Sequence, residues 1–207
     1  TLSQEGLKIC SNKKEQIGLM RLGGNALKHQ GLLNKAFEQK KLTLALQLEL
    51  EPDYLDAARA YFDLAEIYQY KREWEQAYDN YQKSLALYTN WEAKEESAVI
   101  YRNLGRLFDE QKDFVKAEEY YYQAFVIRNE LSTTSVAELA SLLRAIASSL
   151  LAQNKLENAL SYATKAYEFL EVVYTQKEGS IELAAADYLL ARIYLEQEKI
   201  ATARTLA

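Results

Sequence analysis

Residues 101–121 read YRNLGRLFDEQKDFVKAEEYY. Tyr101, Leu104, Leu107 and Phe108 recur at i, i+3 and i+4 spacing, which gathers them into one apolar stripe of a helix. Gln111-Lys112-Asp113 is short and polar, and Phe114 restarts an apolar run. A link this short folds two helices back on each other as an antiparallel hairpin. Gly105 and Ala117 are small where the arms must approach, and large side chains one turn away fill the space beside them.

The same layout recurs along the chain. Tyr61, Leu64, Ala65 and Tyr68 are followed by Ala77 and Tyr81. Leu143, Ile146, Ala147 and Leu150 are followed by Ala159 and Ala163, and Asp187, Leu190, Ala191 and Tyr194 by Ala203 and Ala207. An earlier copy starts near Met20, with Gly23-Gly24, Leu27 and Ala36, and Lys40 where an aromatic is expected. The small residues Gly24, Ala65, Gly105, Ala147 and Ala191 lie 41, 40, 42 and 44 positions apart. Ala36, Ala77, Ala117, Ala159 and Ala203 repeat those intervals. A third marker is the polar turn closed by a large apolar residue, at 30–33, 71–74, 111–114, 153–156 and 198–200.

Composition agrees with an all-α chain. Of 207 residues, seven are glycine and one is proline, too few for many strands and tight turns. Ala, Leu, Glu, Lys and Gln dominate, and they favour helices. Hydrophobic residues make up 49%, enough for a continuous core. No linker rich in Pro, Gly or Ser divides the chain, and no apolar run approaches the roughly 18 residues that span a bilayer.

The repeated layout resembles the tetratricopeptide repeat, whose signature is W-x2-L-G-x2-Y followed by A-x3-F. Leu104-Gly105, Phe108 and Ala117 carry the best match. The usual repeat is roughly 34 residues with a proline near its end; here the copies are longer and the sole proline is Pro52. This length is similar to the extended repeats of kinesin light chains and bacterial signalling proteins. The resemblance implies an α-solenoid, a right-handed superhelix of antiparallel helix hairpins, with about four complete repeats and partial repeats at both ends. The expected layout is one elongated domain over 1–207. Residues 1–12 are the second helix of a preceding repeat. Repeats follow over 17–50, 58–90, 98–131 and 140–173, with a partial one over 184–207. The chain is expected to be a piece of a longer protein.

Function is expected to follow from surface, not chemistry. Cys10 and His29 are each alone, so no disulfide and no Cys-based metal site is expected, and His29 reads as a surface residue at a helix end. There is no Gly-rich phosphate loop, no HExxH and no convergent nucleophile set. The expectation is no enzyme, no catalytic residue, no metal and no cofactor, in a cytoplasmic setting. A net charge of −5 argues against nucleic acid as partner.

In the family, the first helices of successive repeats line a concave groove through their second, fifth, sixth, ninth, twelfth and thirteenth positions. With starts at Ile17, Ala58, Ala98, Ala140 and Ala184, this register places Arg21, Phe62, Arg102, Arg144 and Tyr188 at fifth positions. Asn25, Glu66, Arg106, Ser148 and Arg192 fall at ninth positions, Arg59 at a second, Asn103 at a sixth and Lys28 at a twelfth. The candidate binding residues are Arg21, Asn25, Lys28, Arg59, Arg102, Asn103, Arg106, Arg144 and Arg192. Guanidinium forks pair with carboxylates or phosphates, and asparagine pairs with a peptide backbone. The resemblance implies a scaffold for a peptide or partner domain, with an acidic or polar extended segment as ligand. The alternative is a sensory or regulatory segment of a larger bacterial signalling protein. Pairing of the arginines with Asp63, Glu66, Asp109 and Glu110 is the competing account of this face. The tyrosines, including Tyr61, Tyr68, Tyr81, Tyr121 and Tyr194, fall on packing positions.

Overall fold

A computed structural model describes residues 13–50, 55–174 and 180–206, all helix and short turn. The expected helix over 1–12 and the template position Ala207 lie outside the described residues, as does the side chain of Ala203. The chain forms two compact units, divided after Ala93.

The first unit holds α1 (Lys13–His29), α2 (Leu33–Leu50), α3 (Leu55–Tyr70) and α4 (Trp74–Asn90). Successive helices α1–α2, α2–α3 and α3–α4 pack together. The second unit holds α5 (Lys94–Glu110), α6 (Phe114–Glu130), α7 (Val136–Ala152), α8 (Leu156–Tyr174) and α9 (Ile181–Leu206). Here α5–α6, α6–α7, α7–α8 and α8–α9 pack, and α7 also meets α9.

Four hairpin turns share one backbone device. Gly31, Arg72, Lys112 and Asn154 take φ of 73, 60, 63 and 61°. The next N–H bonds back to Leu27, Tyr68, Phe108 and Leu150 at 2.9, 2.9, 2.9 and 3.0 Å, and the left-handed residue's own N–H bonds to Lys28, Gln69, Asp109 and Leu151. These paired bonds cap the first helix in a Schellman arrangement. At Asp113 the carboxylate also accepts from the Lys116 N–H at 3.2 Å and caps the second helix.

The fifth turn, expected at Glu198–Ile200, is not formed: α9 continues as one helix to Leu206. The stretch leading into it, Leu195-Glu196-Gln197-Glu198-Lys199, consists of strong helix formers with no glycine, asparagine or capping side chain. Tyr194, expected to pack, is consequently 52% exposed, because α9 runs on instead of turning back over it.

Packing inside each hairpin follows the repeat. Ala36, Ala77, Ala117 and Ala159 have no exposed surface. Tyr81 and Tyr121 are buried, and Tyr61 and Tyr68 lie against the Leu44–Leu64 cluster. Tyr120 stacks on Phe108 with 5.4 Å between ring centroids, so two of the three tyrosines at 120–122 pack and Tyr122 faces solvent. A Cβ on Gly105 would stand 2.5 Å from Cδ1 of Tyr121. Only glycine lets α5 come this close to that ring.

The first hairpin solves the same junction differently. Lys40 occupies the aromatic position and is only 2% exposed. Its Nζ bonds to Oδ1 of Asn25 at 2.7 Å and pairs with Asp63. A Cβ on Gly24 would lie 3.2 Å from Cγ of Lys40. Burial lowers the Lys40 pKa, and Asp63 opposes that shift.

Two mutational tests follow from these junctions. Gly105→Ala should lower stability by about 1–3 kcal/mol through overpacking. Gly18→Ala, with nothing near its Cβ, should raise it by up to about 1 kcal/mol through helix propensity. Urea titration followed by circular dichroism reads both, and equal effects would refute the close-approach argument. Asp63→Ala should cost about 3 kcal/mol by stranding a buried ammonium, whereas Lys40→Met combined with Asp63→Ala, which removes both charges, should cost clearly less. Equal losses from the two changes would refute the buried-pair account.

Candidate arginine-lined site

The second unit contains a cavity of about 390 Å³. Helix α5 contributes Arg102 and Arg106, one turn apart on a single face. Arg144 and Ser148 of α7 and Tyr188 and Arg192 of α9 repeat that i, i+4 pair. Leu142, Leu189 and the ring of Tyr121 give the lining an apolar part. The four arginines, Ser148 and Tyr188 therefore fall at matched register positions of three first arms, which the hairpin packing holds in place.

The electrostatics are unbalanced. Arg102, Arg106 and Arg192 are exposed, and Arg144 is half-buried. Among the described residues no carboxylate forms an ion pair with any of the four. Arg192 lies over the Tyr188 ring, 5.8 Å from its centroid, a cation–π contact that leaves the guanidinium edges open. One acid, Asp109, shares the cavity. Burial, and then the neighbouring Glu110, push its pKa up. Burial foremost, then Asp109, raises the Tyr121 phenol well above its ordinary value, while Arg106 and Arg102 pull the other way.

The expected candidates separate into two groups. In the first unit Arg21 bonds to Asp56 at 3.0 Å, Lys28 pairs with Glu66, and Asn25 accepts from Lys40. Asp63 and Glu66 are thus engaged with lysines of their own unit. Arg59 is exposed on α3. In the second unit Arg102, Arg106, Arg144 and Arg192 line one cavity. Asn103 does not line it. That side chain is 4% exposed, and its Nδ2 donates to the Val99 carbonyl at 2.8 Å.

Sequence reasoning overlooked Ser141 and Tyr121 as lining residues. Ser141 was legible as a second register position of its repeat. Tyr121 was not, because its ring reaches the cavity from the second arm. Among the described residues no cluster of His, Cys, Asp or Glu could hold a metal ion. No described helix is long and apolar enough to cross a membrane.

The sequence pattern of the tetratricopeptide repeat matches residues 56–130 and 96–171. No curated protein matches the chain. Among solved structures, BtubC (BKLC) from P. vanneervenii is 20% identical with a TM-score of 0.78, over 86% of this chain and 74% of that one. A putative kinesin light chain of Podosopora anserina, with nearly identical TPR-like repeats, is 15% identical with a TM-score of 0.75, over 95% and 93%. The apo form of RapI is 13% identical with a TM-score of 0.77, over 91% of this chain and 51% of that one. At these identities the structures share the fold, an α-helical repeat architecture that is typically a non-catalytic scaffold for protein–protein interaction. With the family pattern covering residues 56–171 of 207, the chain belongs to the tetratricopeptide-repeat family.

Proposed function

We propose that this chain is a non-catalytic interaction scaffold whose second unit receives an acidic or polar extended segment of a protein partner. The observation that carries this reading is the set of four arginines around one cavity with no carboxylate paired to them among the described residues. Guanidinium groups left in water exert only a weak pull, but in a concave, partly apolar site a ligand's carboxylates meet them with less competition from solvent. The cavity volume of about 390 Å³ suits a few side chains of a peptide, within the usual range of roughly 300–1,000 Å³ for ligand sites. Arg102, Arg106, Arg144 and Arg192 are the contact residues in this reading. Arg21, Asn25 and Lys28 are already engaged within the first unit, so a ligand there would have to displace existing partners.

The test is direct binding. A labelled deca-glutamate peptide, titrated into the full chain at low salt, should bind, and its affinity should fall steeply as salt rises. Arg102→Glu with Arg106→Glu should weaken it at least tenfold, while Arg21→Glu should change it less than twofold. Equal binding by the parent and the double variant would place the acidic ligand elsewhere.

A further inference from the structure

The cavity's charge and hydrogen-bonding pattern narrow the ligand further. Resting on the interaction reading above, we infer that the second unit's cavity is a phosphate-recognition site for a phosphorylated serine or threonine in the partner segment.

Arg102, Arg106, Arg144 and Arg192 face one acid, Asp109. Even with Asp109 ionised, and with Glu110 close enough to act on the Tyr121 ring, positive charge is left in excess. One carboxylate cancels one unit of it. A phosphoryl ester at neutral pH carries about −1.5 to −2 charge and three acceptor oxygens. It therefore offsets more of the excess in a single group, and does so within one side chain's reach.

Geometry of supply points the same way. The guanidiniums come from three separate helices: α5, α7 and α9. A carboxylate has two oxygens and is satisfied by one fork. A tetrahedral phosphate has acceptors aimed in several directions and suits forks arriving from different walls. Ser141 and Ser148 add hydroxyl donors on the α7 wall, and hydroxyls supplement arginine in holding phosphate oxygens. The aromatic face of Tyr188, already beside Arg192, and Leu142 and Leu189 offer apolar surface for the residue's carbon atoms or its neighbours. Asp109 sets a limit. It is the one acid in the lining, so a ligand that concentrates its negative charge in a single group beside the arginines meets less repulsion than charge spread along the cavity.

The experiment uses the full chain and three fluorescein-labelled decapeptides of glycine, alanine and serine that differ only at the centre: phosphoserine, glutamate or serine. Fluorescence anisotropy at physiological salt should show the phosphoserine peptide binding at least tenfold tighter than the glutamate peptide, with the serine peptide weakest. Arg144→Lys keeps the charge and removes the fork, and should cost the phosphopeptide at least fivefold. Arg144→Gln should cost more. Circular dichroism confirms that each variant is folded, and Lys35→Gln, exposed on the first unit, serves as the unchanged control. Equal affinity for the phosphoserine and glutamate peptides would overturn phosphate recognition while leaving the acidic-segment reading standing. Full retention of phosphopeptide affinity in Arg144→Lys would overturn the fork argument. Failure of every peptide, deca-glutamate included, would overturn both readings. Tighter binding of a single-stranded dT10 oligonucleotide than of the phosphopeptide would reassign the site to nucleic acid.

Discussion

The distance between the two arms of a hairpin governs this molecule. At the junction of α5 and α6 a glycine hydrogen is all that fits against the Tyr121 ring, since a methyl carbon there would be 2.5 Å from it. That approach sets which faces of α5 are sealed. Leu104 and Leu107 are sealed completely, and Arg102 and Arg106, on the other side of the same turns, are left outside. The first-arm positions 144 and 192 follow by repetition of the same register. Packing and candidate site are thus two readings of one helical phase.

Charge pairing divides along the same two units. The first unit spends its acids locally: Asp56 on Arg21, Glu66 on Lys28, Asp63 on the buried Lys40. In the second unit, Glu138 pairs with Arg128 and Glu118 with Lys155, away from the cavity. A chain with net charge −5 thereby carries an uncompensated cationic hollow. Exposed ion pairs contribute only about 0–1 kcal/mol, so this arrangement costs the fold little. What it provides is a local field of the opposite sign to the whole molecule, which draws an acidic ligand to one place.

Much of this was legible in the sequence. Small and apolar residues in step at intervals of 40–44 positions announced the hairpins, and the register put four arginines on one face. The turns were legible by recurrence, not composition: Arg72 and Lys112 adopt left-handed backbone without being glycine or asparagine. Three features escaped. Asn103 is polar but buried, and its side chain bonds to its own helix backbone. Lys40 stands where an aromatic was expected, and only the approach of Asn25 and Asp63 makes its burial tolerable. The end of α9 follows local helix propensity where the template called for a turn, and this leaves Tyr194 uncovered. Each depends on a spatial neighbour that spacing alone does not reveal.

The central claim is that the cavity arginines carry no ion pair among the described residues while Arg128 of the same unit does. Arginine reactivity toward phenylglyoxal, resolved residue by residue by peptide mass spectrometry on the full chain, measures this directly. The account predicts that Arg102, Arg106 and Arg192 are modified well before Arg128, which bonds to Glu138 at 3.1 Å and is 13% exposed. Modification of Arg128 at the same rate as those three would contradict it.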